Sequence, residues 1–189
     1  MSHIAVIYHS GYGHTEKLAQ YIVKGIEKTE GATVTLLSAE DAIQDIAKLA
    51  ECDAMIFGTP TYMGSMTAKF KEFMEASSRI WMQQGWKDKL AAGFTNSGSL
   101  SGDKLNTLIQ LSVFAAQHGM IWIGQGEPCG SPKGDPANAN AVNRMGSALG
   151  AMAQSENDSP EVTPPAGDLE TAEKLGERVA TIALRFKAA

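Results

Sequence analysis

Short apolar, often β-branched runs alternate with longer amphipathic stretches along this chain. His3 to Tyr8 is the first such run. It ends at the turn-forming Ser10-Gly11-Tyr12-Gly13, and Thr15 to Lys28 then carries Leu18, Tyr21, Ile22 and Ile26 at helical spacing. The pattern repeats as a strand over Ala32 to Leu37, a helix over Ala42 to Ala50, and an apolar run from Asp53 to Gly58 closed by Thr59-Pro60. Thr67 to Met82 predicts a helix with Phe70, Phe73 and Met74 on one face. Leu90 to Thr95 predicts a fourth strand, followed by the polar loop Asn96 to Gly102. Asp103 to His118 reads as a helix and Met120 to Gly124 as a fifth strand. A long segment, Gln125 to Asp168, rich in Gly, Pro, Ser and Asn, then precedes a closing amphipathic helix over Leu169 to Lys187.

Five strands alternating with helices predict one α/β domain over residues 1–189. Its sheet is parallel and doubly wound, with helices on both faces, because parallel strands need right-handed crossovers. Ligands of such sheets bind beyond the carboxyl ends of the strands, at the switch point. The loops after strands one, three and four carry the unusual residues, so the site is expected there. Gln125 to Asp168 is too long for an ordinary connection and is expected to have a role of its own.

Composition narrows the partners. The chain has 189 residues, 43% hydrophobic and 20% charged, an ordinary globular balance. No window approaches the roughly 20 apolar residues of a membrane span, and the short apolar start lacks a basic flank, so neither a span nor a signal peptide is expected. Cys52 and Cys129 form no CxxC motif, which argues against a zinc site and suits a reducing, cytoplasmic location; no metal is expected. Sixteen basic against twenty-one acidic residues give a net charge of -5 with no basic run, which excludes nucleic acid as an expected partner.

Ser10-Gly11-Tyr12-Gly13-His14-Thr15 lies between a buried strand and a helix, where backbone N–H groups converge at a positive helix end. Its glycines permit a tight turn, and the Ser10 and Thr15 hydroxyls can donate to phosphate oxygens, a combination suited to a phosphomonoester. A Walker loop would need Gly-Lys-Ser/Thr at its end, and a dinucleotide fingerprint a third glycine where Glu16 stands. The alternative is a plain strand-to-helix turn capped by Thr15. A phospho-receiver would need an aspartate where Gly58-Thr59-Pro60 stands. A low-molecular-weight phosphatase would need Cys-x5-Arg, which neither cysteine supplies.

Tyr8-His9-Ser10-Gly11-Tyr12-Gly13-His14-Thr15, then Phe57-Gly58-Thr59-Pro60-Thr61-Tyr62-Met63-Gly64-Ser65-Met66, then His118-Gly119-Met120, resembles the flavodoxin-like NAD(P)H:quinone oxidoreductases of the WrbA type. The resemblance implies a flavodoxin-like five-stranded sheet of order 2-1-3-4-5 that holds FMN non-covalently. By position, Ser10, Gly11, Tyr12, Gly13, His14 and Thr15 would hold the FMN phosphate. Pro60, Thr61, Tyr62, Met63 and Gly64 would flank the isoalloxazine ring, and Asn96, Ser97, Gly98, Ser99 and Ser101 would form the other flavin loop. Tyr12 and Trp81 would border the nicotinamide and quinone position. Gln117 and His118 correspond to a flavin-proximal pair, although His118 beside Gly119 equally suits a helix C-terminus. Trp81 equally suits simple packing. The chain departs from the family where Tyr62-Met63 replaces Arg-Phe, where Gln117 replaces a histidine, and where Leu100 and Ser101 interrupt a glycine-rich stretch. It is also shorter between Ser38 and Asp53, a region that contributes to the tetramers of larger members; a homodimer or homotetramer is expected.

Flavin carries the redox chemistry in such a protein, so no acid, base or nucleophile need appear in the sequence. Two classes remain: a two-electron NAD(P)H:quinone oxidoreductase working by a ping-pong cycle, and a flavodoxin-type electron carrier. A carrier of low potential benefits from carboxylates around the flavin. Thr61 to Met66 and Asn96 to Gly102 contain no charge, which favours the enzyme and a flat, uncharged acceptor such as a quinone.

Overall fold

The computed structural model describes residues 1–130 and 138–188. Strands β1 (Ser2–Tyr8), β2 (Ala32–Ser38), β3 (Ala54–Pro60) and β4 (Leu90–Ser97) are all parallel. With β5 (Ile121–Trp122) they give the order 2-1-3-4-5 that the resemblance implied. Helices α1 (His14–Glu27) and α6 (Ala166–Lys187) cover one face. The other carries α2 (Ala39–Gln44), α3 (Ala68–Ala76), α4 (Ser78–Met82) and α5 (Lys104–Gln117).

Strand alternation divides each continuous apolar run between two cores. In β1, Ile4 and Val6 face α1 and α6, while Ala5 and Ile7 face the Phe57, Phe70, Phe73, Trp86 and Phe114 cluster. In β3, Ala54 and Ile56 join the first core, Met55 and Phe57 the second. Helices α1 and α6 approach closely at reciprocal glycines: a Cβ on Gly25 would run into the Glu173 carbonyl, and one on Gly176 into the Ile22 carbonyl. That contact fixes the C-terminal half of α1 against α6.

Three elements differ from the sequence reading. The single helix expected over Thr67 to Met82 breaks near Ser77, whose Oγ donates to the Met74 carbonyl at 2.7 Å and competes with the helical bonding of the next turn. The helix expected over Ala42 to Ala50 becomes α2 followed by a 3₁₀ turn, Ile46–Glu51. The fifth lane of the sheet is shared by two short strands. β5 pairs with Leu90 and Ala91, and β6 (Ala151–Gln154) pairs in parallel with Phe94 to Ser97. The long segment thus leaves the sheet after Ile123 and returns to complete the same lane. Residues 131–137 of that segment lie outside the described residues. Its return is fixed by Trp122 Nε1 donating to the Leu149 carbonyl at 2.8 Å and by Asn143, whose amide group bonds Glu127, Ser147 and, through its backbone N–H, Thr171. No helix among the described residues is long and apolar enough to cross a membrane.

Candidate functional site

The carboxyl ends of β1, β3, β4 and β6 bring four loops together. A cavity of about 420 Å³ opens among them, lined by Tyr12 and His14 from the first, Tyr62 from the second, Asn96, Ser97 and Gly98 from the third, and Ser155 to Asp158 from the fourth.

The first loop is built as a helix entrance. Gly13 stands at φ +90° as the N-cap of α1, its N–H bound by Ser10 Oγ at 3.0 Å and its carbonyl accepting from Lys17. Because Ser10 Oγ acts there as an acceptor, its own hydrogen remains available as a donor. Among the described residues, the N–H groups of Gly11, Tyr12 and His14 have no protein partner, and they gather at the positive end of a 14-residue helix. Thr15 is buried in the first helical turn.

The second loop is a two-residue turn. Tyr62 and Ser65 exchange backbone hydrogen bonds at 2.9 and 3.1 Å, with Met63 at φ +50° and Gly64 at φ +78° between them. Both central residues are left-handed, as a type I′ turn demands, and for Met63 this conformation is strained. The turn is held from behind by Asn106 Nδ2 on the Gly64 carbonyl and by Ser65 Oγ on Gln110 Oε1. Its effect is to present Met63 fully to solvent beside Tyr62, which is 40% exposed and meets the 75% exposed Tyr12 edge-on at 6.3 Å. Thr61 plays a different part. It is buried, and its hydroxyl joins those of Thr95 and Thr107, each at 2.8 Å, tying the ends of β3 and β4 to α5.

In the third loop, Asn96 and Ser97 are buried and Gly98, Ser99 and Ser101 exposed. Asn96 Oδ1 accepts from Ser155 Oγ at 2.9 Å. Lys104, wholly buried at the start of α5, donates to Ser97 Oγ and to the Ser99 and Leu100 carbonyls.

Sequence reasoning missed the fourth loop. Ser155 to Asp158 reach the cavity because β6 runs beside β4, a pairing across more than fifty residues with no local signal. The same stretch closes on the first loop. The Asp158 carbonyl lies 2.8 Å from His14 Nε2, and Lys17 pairs with Glu161 at 3.1 Å. A Cβ on Gly13 would fall 2.6 Å from Pro160, so the fit between these two loops requires glycine there. Lys104 was also missed, since a lysine after Gly-Asp reads as helix surface.

Trp81, Gln117 and His118 stand elsewhere. Trp81, 51% exposed, lines a separate groove of about 880 Å³ between α3, α4 and α5, together with Gln117 and His118. Ser65 and Met66 border the same groove, so it adjoins the second loop. His118 follows α5 at the end opposite Lys104, a separation of about 20 Å at 1.5 Å per residue. Its imidazole is buried between Trp86 and Phe114, with Nε2 2.9 Å from Ser77 Oγ. Burial pulls its pKa down to about 4. Within one chain it faces the core, not the cavity.

The model of the family described as NADPH-dependent FMN reductase matches residues 3–131. Flavodoxin FldP of Pseudomonas aeruginosa is 40% identical over 191 residues, all of both chains. NAD(P)H dehydrogenase (quinone) 3 of Rhizobium meliloti is 30% identical over 208 residues, covering 97% of this chain and 92% of its own. Among solved structures, a flavodoxin, WrbA-like protein from Agrobacterium tumefaciens superposes with a TM-score of 0.73 at 40% identity, covering 98% of this chain and 99% of its own.

Proposed function

The chain belongs to the NADPH-dependent FMN reductase family and is a flavodoxin-like FMN-binding oxidoreductase; from that premise we propose that it is an NAD(P)H:quinone oxidoreductase. The residues of the cavity fit FMN. Free amide donors and two hydroxyls meet at a helix N-terminus, two exposed tyrosine rings stand beside them, and a third loop offers a row of backbone donors. When bound, FMN supplies two-electron redox chemistry between NAD(P)H and an acceptor.

The chain's own residues bind and orient. Ser10 and Thr15, with the amides of Gly11, Tyr12 and His14, hold the phosphate. Tyr62, Met63 and Gly64 would flank the ring, with Pro60 and Thr61 buried beneath that turn. Asn96, Ser97, Gly98, Ser99 and Ser101 would present polar groups to the flavin ring, whose developing negative charge N–H donors stabilise. Tyr12 borders the place where nicotinamide and quinone bind in turn. Trp81, with Gln117 and His118 behind it, contributes from the adjoining groove or from a second copy of the chain.

The observation that carries the reading is the uncharged rim around Tyr12, Tyr62, Met63, Gly98 and Ser99, suited to a flat neutral acceptor. Of the nearby acidic groups, Glu161 is paired with Lys17, and the Asp158 carboxylate accepts from the Ser159 N–H at 2.6 Å. One feature supports a second reading. Glu156 and Asp158 lie on the cavity wall, and carboxylates beside the flavin disfavour added negative charge, as an electron carrier of low potential requires.

Anaerobic stopped-flow absorbance separates the two. The FMN-loaded protein is mixed with NADH or NADPH and then with a benzoquinone. Rapid bleaching followed by rapid reoxidation is the expected result. Reduction by dithionite but by neither nicotinamide would replace the enzyme with the carrier, and absence of flavin binding would remove both.

A further inference from the structure

Lys104 occupies a position that elementary electrostatics disfavours. It is the first residue of α5, where the helix end is already positive, and its side chain is wholly buried, which lysine tolerates only when paired. Nζ spends its three hydrogens on one loop: Ser97 Oγ at 3.0 Å, the Ser99 carbonyl at 2.7 Å and the Leu100 carbonyl at 2.9 Å. Of the charged groups facing it, Asp168 on α6 favours its positive form and Arg144, which grips Asp168 at 2.7 and 2.9 Å, opposes it. Burial outweighs both and lowers its pKa to about 8.

The arrangement dictates which way the loop faces. In a trans peptide the carbonyl and the following N–H point in opposite directions. With the Ser99 and Leu100 carbonyls turned onto Nζ, the amides of Leu100 and Ser101 must point away from it. The Gly98 carbonyl is held separately, by Gln154 Nε2 at 3.2 Å in an exposed hydrogen bond. Among the described residues, none of the four successive amides from Gly98 to Ser101 has a protein partner. The loop therefore turns the Ser99 and Leu100 carbonyls onto a buried cation and the amides of Leu100 and Ser101 away from it.

We propose that Lys104 is a positioning residue for the flavin: by drawing in the carbonyls of the 97–100 loop it aims the loop's amides at bound FMN and adds a fixed positive charge behind them, so that reduced FMN is held more tightly than oxidised FMN would predict. The proposal rests on the FMN-binding reading above. Its signature is a difference between redox states, which a merely structural lysine does not produce.

The test compares wild type with Lys104→Met and Lys104→Arg. Flavin fluorescence gives the affinity for oxidised FMN, equilibration with a reference dye gives the midpoint potential of the bound flavin, and circular dichroism verifies the fold. Lys104→Met is expected to bind oxidised FMN several-fold more weakly and reduced FMN a further tenfold more weakly, which lowers the two-electron potential by about 30 mV. Lys104→Arg retains most of both. Equal losses in the two states, with an unchanged potential, would overturn the proposal while leaving FMN binding intact; a wild-type protein that binds no FMN overturns the reading beneath it instead. If the Met variant fails to fold, the wild-type potential decides. Its slope against pH is expected to steepen above pH 8, as reduction restores the proton to Lys104. A constant slope across that range would overturn the assignment.

Discussion

Thr15 is buried in the first turn of α1, where its hydroxyl adds a side-chain donor to the amides of Gly11, Tyr12 and His14. Thr15→Val keeps the shape and removes the donor. Loss of one hydrogen bond to a charged phosphate costs about 1.5–3 kcal/mol, so FMN affinity should fall roughly ten- to hundredfold with little change in Tm, which flavin titration and thermal melts would register. His118 makes a different contribution. Its buried ring stays neutral down to about pH 4, while the unfolded chain takes up that proton near pH 6.5. The unfolded state then binds more protons, so stability is full above pH 6.5 and lost as pH falls toward 4, by up to about 3 kcal/mol. His118→Gln should flatten the fall in Tm across that window; coincident pH profiles would remove this role. The residue type and its place beside Gly119 pointed to a helix end or a flavin contact. Only packing against Trp86 and Phe114 distinguishes the two within one chain, and no sequence spacing encodes that. Thr61 is similar: its position in the second loop was legible, but its hydroxyl bonds to Thr95 and Thr107 depend on where β4 and α5 lie.

Elements whose signals are local were legible, and those that depend on remote partners were not. β1, β3 and β4 announce themselves because a strand buried on both faces must be apolar throughout. β6, Ala-Met-Ala-Gln, has no β-branched residue and becomes a strand only because Phe94 to Ser97 leave an open lane beside it. The loop it delivers to the cavity was hidden for the same reason. The crossing of α1 and α6 is another such dependence, with consequences for stability. Gly25→Ala drives a methyl group into the Glu173 carbonyl, and backbone is less able than a side-chain end to yield, so a loss of about 1–3 kcal/mol is expected. A thermal melt of the variant checks this, and an unchanged Tm would mean the helices separate freely. The second loop carries strain of the opposite kind. Met63 holds φ +50° in a turn that favours Asn or Gly, so Met63→Asn should stabilise the protein by about 1 kcal/mol, seen as a Tm rise of roughly 2–4 °C. If quinone turnover falls in the same variant, the exposed methionine was retained for the substrate.

At the scale of the whole molecule, α5 is apolar on two sides. Leu108, Leu111, Phe114 and Ala115 face the core, whereas Leu105, Ile109 and Val113, spaced one turn apart, form an exposed ridge. Trp81 and Met82 are exposed as well, and Ile109 and Val113 line the groove that holds Trp81, Gln117 and His118. A second apolar stripe on a helix whose first faces the core leaves apolar surface exposed, and such a patch marks a contact with another protein. The expected contact is a second copy, giving the homodimer or homotetramer proposed from the family resemblance. Ile109→Glu places a charge at the centre of the ridge and should convert the protein to monomers, measured by light scattering during size-exclusion chromatography. The cavity proposed for FMN is built from the loops of a single chain, so FMN affinity per chain should survive in that variant. Quinone turnover should not, if Trp81 acts across the contact; a variant that is monomeric and fully active would return Trp81 to its own chain, and a wild type already monomeric at micromolar concentration would remove the assembly altogether.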